Sequence, residues 1–144
     1  GKGHELERLK NMAMELGLSN VIFKGYLAGE ELNVEYRDCI ATILPCNWFE
    51  VFGRTLLESF LRGKPVIASN IAAIPEIVEH NINGFLFEPK NVEQLSQAMN
   101  ILINEPQKSV EMGRNGRQKV EKYYNSELFY EKYFELLINL IFKN

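Results

Sequence analysis

The chain has 144 residues, of which 46% are hydrophobic and 24% are charged, and its formal net charge is −3. This composition is that of one globular domain with a real core, and it excludes a disordered, a collagen-like and a disulfide-scaffold protein. The lysine and arginine residues form no basic stripe, so we expect no nucleic-acid partner.

Helical and strand patterns alternate along the chain, with glycine and proline between them. In chain order they predict a helix over 5–16, a strand over 20–23, a helix over 30–37, a strand over 40–44, a helix over 53–61, a strand over 66–68, a short helix over 74–79, a strand over 85–87, and helices over 92–103, 109–124 and 127–142. Short strands that alternate with helices predict an α/β fold, a Rossmann-like parallel sheet with helices on both faces. We expect one unit over 1–144 that ends in C-terminal helices at about 107–144, and a ligand beyond the carboxyl ends of the strands.

Cys39 and Cys46 lie in or beside an apolar run, and neither a C-x-x-C pair nor a histidine cluster accompanies them. A zinc site is therefore not expected. The simpler interpretation is a reduced, cytoplasmic setting with both thiols as small core residues, and a disulfide stays open. No apolar stretch approaches the roughly 20 residues of a membrane span.

The most informative segment runs from 44 to 68, where a buried strand ends and a helix begins at Gly53. The free N–H groups of such a helix form an anion site that the helix dipole strengthens, and glycine lets an oxygen approach the backbone. Glu58 lies in an otherwise apolar helical run, where it either holds the two hydroxyls of a ribose or faces solvent. Glu50 either caps the helix or faces a sugar and the positive charge that develops at its anomeric carbon. Trp48 and Phe49, in the same loop, are expected to pack by default, with stacking on a ligand as the lesser alternative.

Glu50 and Glu58 are separated by seven residues inside the string FEVFGRTLLESFLRGKPVIAS, which IPEIVEHNINGFLFEP follows. This pattern resembles the E-x7-E signature of the family-4, group 1 retaining glycosyltransferases of the GT-B fold. GKGHELERLKNMAMELGL and VIFKGYL extend the likeness toward the N-terminus, so that it covers nearly all of the chain up to Pro89. The resemblance implies a C-terminal donor-binding domain that lacks its first strand and the N-terminal domain of the same enzyme.

The resemblance implies that Glu50, as the catalytic residue, contacts the sugar of a nucleotide diphosphate sugar, usually a hexose. By the same resemblance, Glu58 holds the ribose, Phe52, Gly53 and Arg54 hold the sugar or the distal phosphate through backbone N–H groups, and Gly25, Tyr26 and Leu27 line the nucleobase. The acceptor, saccharide or lipid-linked, is bound by the missing N-terminal domain, through which peripheral attachment at the inner membrane face stays open. The isolated chain is then expected to be inactive.

Members of this family are metal-independent, and the resemblance implies neither a metal nor a cofactor. Asp38 is the only aspartate, so a D-x-D metal-binding pair is absent from the sequence. Positive charge for the diphosphate must then come from lysine, arginine and helix N-termini, and Arg54 is either part of it or solvated. Two alternatives stay open: a non-catalytic nucleotide-sugar-binding module, and another GT-B enzyme such as a nucleotide-sugar epimerase or a phosphorylase.

Overall fold

A computed structural model describes residues 2–142, and its contacts divide into two units, one ending at Arg37 and one beginning at Asp38. The first unit holds helix α1 (Leu6–Glu15) and helix α2 (Gly29–Asp38), which ends at the boundary. Both agree with the predicted helices to within one or two residues. The prediction of one unit over 1–144 stays a prediction.

The predicted strand over 20–23 is wrong, because residues 21–28 form neither helix nor strand. Val21 and Ile22 are exposed, although their apolar, β-branched side chains produced the prediction. A strand needs a neighbouring strand to satisfy its backbone N–H and C=O groups, and the described part of the first unit contains no strand.

The second unit is built on three parallel strands in the order β1 (Thr42–Leu44), β2 (Val66–Ser69) and β3 (Gly84–Phe87). The five helices of this unit are α3 (Arg54–Leu61), α4 (Ile74–Ile77), α5 (Val92–Asn104), α6 (Pro106–Tyr123) and α7 (Ser126–Phe142). Every residue of β2 is buried, as expected for the middle strand of a sheet that is covered on both faces.

Two apolar clusters lie on opposite faces of β2, because neighbouring side chains of a strand point to opposite sides. Val66 and Ala68 pack with residues of α3, α4 and α6, whereas Ile67 packs with residues of β3, α5 and α6. Helices therefore cover both faces of the parallel sheet, and the predicted α/β class is confirmed.

Two helix starts follow from local chemistry. Asn91 caps α5, since its side-chain oxygen accepts a hydrogen bond of 3.0 Å from the Gln94 N–H. The predicted start of α6 at 109 is late, because Pro106 occupies the first turn, where its missing N–H costs nothing.

Among residues 2–142, no helix is both long enough and apolar enough to cross a bilayer.

Candidate functional site

The start of α3 requires a glycine. Gly53, the N-cap residue, has φ +66°, in the left-handed region that other residues avoid. A Cβ atom at this position would lie 2.7 Å from Leu56 Cδ1, so a side chain is also excluded by space. The predicted helix start at Gly53 is therefore confirmed to within one residue, with α3 beginning at Arg54.

Glu50 lies three residues before Gly53 and closes the turn that leads into α3, whose N-cap residue has no side-chain cap. Its Oε1 accepts hydrogen bonds from the N–H groups of Gly53, at 3.0 Å, and Phe52, at 3.5 Å. The carbonyl of Glu50 accepts a long hydrogen bond, 3.5 Å, from the N–H of Ala73. Among the described residues, the second carboxylate oxygen of Glu50 has no hydrogen-bond partner. The carboxylate therefore lies on the amides that the sequence singled out, with one oxygen left over.

Glu58 and Arg54 lie on one face of α3, one turn apart. Arg54 Nη2 is 3.8 Å from Glu58 Oε1, and the side chains are 86% and 36% exposed. An exposed pair of this kind adds little stability. Its consequence is positional, because the guanidinium lies at the first helical residue and the Glu58 carboxylate points back toward it. Glu58 therefore lies in the middle of α3, and Glu50 lies four residues before its first residue.

Cys46 lies at the base of the loop and is fully buried in the core. The pKa of its thiol is raised, first because burial disfavours the thiolate and second because the negative charge of Glu50 is near. Among the described residues, Cys39 and Cys46 form no disulfide. The Glu50 carboxylate is near enough to the Cys46 thiol to oppose its ionisation.

The remaining side chains of the loop face outward. Trp48 is 61% exposed and Phe49 is 82% exposed, so the expectation that they pack is wrong. Phe52 makes an edge-to-face contact with Tyr124 at the end of α6, with ring centroids 6.3 Å apart. Sequence reasoning missed this contact, because 72 residues of chain separate Phe52 from Tyr124.

Gly25, Tyr26 and Leu27 lie in the first unit. Gly25 has φ +71°, Tyr26 is exposed, and the Nζ of Lys2 lies 5.6 Å from the centroid of the Tyr26 ring. Since the units are described separately, the role of these residues at a nucleobase stays a prediction. Across residues 2–142, no group of three or more metal-ligating side chains occurs.

Comparison with known proteins adds independent findings. The family model described as glycosyl transferases group 1 matches residues 1–119. The chain is 38% identical over 125 residues to the α-1,3/1,6-mannosyltransferase ALG2 of Dictyostelium discoideum, which aligns 86% of this chain with 29% of that protein. The chain spans between 27 and 38% of the length of the first curated relatives it matches.

Two solved structures show the same fold. The structure of Anabaena HepE in complex with UDP-glucose superposes with a TM-score of 0.84 at 28% identity, over 95% of this chain and 37% of that one. The C-terminal domain of the group 1 protein LpcC from Francisella tularensis superposes with a TM-score of 0.75 at 28% identity, over 84% of this chain and 63% of that one.

Proposed function

The chain belongs to the group 1 glycosyl transferases, and from that premise we propose that it is the donor-binding part of a retaining enzyme. The enzyme transfers a hexose from a nucleotide diphosphate sugar to a saccharide or lipid-linked acceptor, without a metal ion. Two relatives support the donor class: ALG2 is named a mannosyltransferase, and HepE binds UDP-glucose. A further domain of the same enzyme binds the acceptor.

The observation that carries the proposal is the start of α3. Backbone N–H groups, a guanidinium and two carboxylates lie within the nine residues from Glu50 to Glu58, and Glu50 holds the N–H groups of Gly53 and Phe52, which leaves those at the first residue of α3 for a ligand. A helix N-terminus attracts anions through its free N–H groups and its dipole. The arrangement therefore offers positive partners to a diphosphate and acceptor oxygens to the hydroxyls of the sugars on either side of it.

Arg54 supplies the positive charge in this proposal. A cation at the first helical position is unfavourable to the helix dipole, by about 0.3–1 kcal/mol, unless an anion binds there. A diphosphate at the start of α3 reverses that balance, because it attracts both the guanidinium and the N–H groups. Arg54 thereby takes the place of a metal ion as the counter-charge.

The two glutamates divide the work on the donor. Glu58 holds the ribose, whose two hydroxyls each donate a hydrogen bond to the carboxylate. Glu50 faces the hexose with Oε2, the oxygen that is not bonded to the N–H groups of Gly53 and Phe52. Its negative charge stabilises the positive charge that develops at the anomeric carbon. Gly25, Tyr26 and Leu27 line the nucleobase.

The ribose assignment is tested by Glu58→Gln in titrations of UDP and GDP by calorimetry, with and without EDTA. Loss of charge-assisted hydrogen bonds, each about 1.5–3 kcal/mol, is expected to weaken nucleotide affinity by roughly tenfold or more. EDTA is expected to leave the nucleotide affinity of both the native and the Glu58→Gln protein unchanged. Glu93→Gln, at an exposed glutamate of α5, is the matched control. Unchanged affinity in a folded Glu58→Gln protein contradicts the assignment.

A further inference from the structure

Phe52, the residue between the Glu50 carboxylate and Gly53, is held by one aromatic partner. Its ring is 48% exposed and meets the ring of Tyr124 edge to face, at 63° between the planes. Among residues 2–142, Phe52 makes no other aromatic contact. The backbone N–H of Phe52 donates a long hydrogen bond, 3.5 Å, to Glu50 Oε1, so the ring and the amide of Phe52 each have a partner.

Tyr124 is itself anchored. Its backbone N–H donates to the Val120 carbonyl at 2.9 Å, and its ring packs against the apolar cluster on one face of β2. Its hydroxyl donates a long hydrogen bond, 3.5 Å, to the carbonyl of Glu76 in α4. Lys119 holds the same carbonyl at 2.8 Å, so two side chains of the α6 end are fastened to α4.

These contacts form a closed circuit that includes the loop of residues 50–53. Glu50 accepts a hydrogen bond at its carbonyl from Ala73, which directly precedes α4, and α4 is bound by Tyr124, whose ring contacts Phe52. Phe52 returns to Glu50 through its N–H group. Tyr124 is the residue of this circuit that lies farthest along the chain, 72 residues after Phe52. Without the aromatic ring of Tyr124, the hydrogen bonds that hold residues 50–53 in the described part of the chain are the long ones at Phe52 and Ala73, the 3.0 Å bond at Gly53 and the 2.8 Å bond from the Leu56 N–H to the Gly53 carbonyl.

We propose that Tyr124 is a positioning residue of the donor site, which fixes the 50–53 loop through the Phe52 ring so that its amides and the Glu50 carboxylate keep one geometry. The proposal rests on the proposed function for the identity of the ligand. Tyr124 touches no donor atom in it. Its contribution is preorganisation, since a loop that is already ordered presents the Glu50 carboxylate and the start of α3 to the donor without the cost of ordering on binding.

The chain contains a direct reporter of this loop, because Trp48 is its only tryptophan. Tyr124→Leu is compared with Tyr123→Leu in the 144-residue chain, well below the unfolding temperature of each. Tyr123 is the matched control, because it directly precedes Tyr124 and lines the same surface cavity. Its ring faces the Nζ of Lys122, whereas the ring of Tyr124 contacts Phe52. Time-resolved fluorescence anisotropy of Trp48 measures the motion of the loop, and titration with UDP and GDP measures affinity.

We expect Tyr124→Leu to increase the amplitude of Trp48 motion and to weaken nucleotide affinity by about three- to tenfold, whereas Tyr123→Leu changes neither. Phe52→Leu should reproduce both effects, and the double variant should add little to either single one. Unchanged Trp48 anisotropy in Tyr124→Leu, or an equal change in both tyrosine variants, overturns the proposal.

The same experiment separates this proposal from the proposed function. In one outcome, Tyr124→Leu makes Trp48 more mobile but leaves nucleotide affinity unchanged, whereas Glu58→Gln still weakens that affinity. The positioning role is then wrong and the donor site stands. If Glu58→Gln also has no effect, the donor site is wrong, and the anisotropy alone then decides whether Tyr124 holds the loop.

Discussion

The carboxylate of Glu50 has two demands on it at the scale of the single residue. One oxygen closes the turn before α3 through the N–H groups of Gly53 and Phe52, and the other is the one we assign to the sugar. The hydrogen bonds of the turn contribute to stability, whereas a charge beside the anomeric carbon contributes to turnover. Substitutions that remove the charge, and substitutions that remove the whole side chain, separate these two contributions.

Glu50→Gln keeps an acceptor oxygen for the N–H groups of Gly53 and Phe52 and removes the charge. In the full-length enzyme we expect turnover to fall by at least about tenfold, because the lost electrostatic stabilisation is specific to the transition state. Nucleotide affinity should fall much less. Glu50→Ala should lower the free energy of unfolding by a further amount of about 1 kcal/mol, the usual net contribution of one hydrogen bond. Steady-state kinetics, calorimetry and thermal unfolding measure the three quantities. Equal loss of turnover and affinity would remove Glu50 from the sugar.

Cys46 gives a pH-dependent test of the same carboxylate. Burial chiefly raises its folded-state pKa above the ordinary value of a thiol, so the stability that this thiol contributes is complete below that ordinary value and is lost as the pH rises through the folded pKa. Alkylation by iodoacetamide at pH 8.5 should therefore modify half-buried Cys39 well before Cys46. Glu50→Gln should accelerate modification of Cys46 only slightly, because the carboxylate is the smaller of the two causes. Rapid alkylation of Cys46 in the native chain would mean that this thiol is not buried in the core.

At the scale of secondary structure, the sequence predicted best what depends on neighbouring residues. Helix α3, its glycine start and its end at Leu61, shortly before Gly63 (φ +67°), follow from local periodicity and from glycine conformations. The strand predicted over 20–23 failed, because pairing is decided by residues distant in the chain. For the same reason the sequence placed Glu50 just before α3 and Glu58 within it, but did not predict the contact between Phe52 and Tyr124.

The packing of α6 on α3 depends on two glycines that the sequence showed only as weak helix formers. A Cβ at Gly116 would lie 2.2 Å from Cδ1 of Phe60, and one at Gly113 would lie 1.9 Å from the carbonyl oxygen of Gly63. Phe60 is fully buried and cannot move aside. These glycines set how closely the two helices approach, and thereby where the C-terminal end of α6, with Tyr124, meets the loop.

Gly116→Ala tests this packing. Alanine in a helix interior gains roughly 0.5–1 kcal/mol over glycine, whereas overpacking a core costs about 1–3 kcal/mol. At 2.2 Å the clash dominates, so we expect the free energy of unfolding in urea to fall by about 1–2 kcal/mol. Gln118→Ala, at an exposed position of the same helix, is the control and should leave stability equal or slightly higher. A stabilised Gly116→Ala protein would show that α6 packs less closely.

At the scale of the whole molecule, charge and length lead to one expectation. The net charge of −3 does not attract a diphosphate, so binding must come from the local groups at the start of α3. Those groups lie within this chain, whereas its curated relatives are roughly three times as long as the part that matches. Transfer also requires an acceptor held against the donor in the same site.

We therefore expect the 144-residue chain to bind UDP or GDP and to transfer no sugar. The binding should raise its unfolding temperature with nucleotide concentration, as it does for any ligand that prefers the folded state. Radiolabelled UDP-glucose and GDP-mannose, incubated with the chain and with the full-length enzyme under the same conditions, measure transfer to added acceptors. Binding without transfer by the chain, together with transfer by the full-length enzyme, locates the donor groups here and the acceptor groups elsewhere. Transfer by the chain alone would instead require an acceptor site within these residues, and a chain that binds neither nucleotide would contradict the donor site at α3.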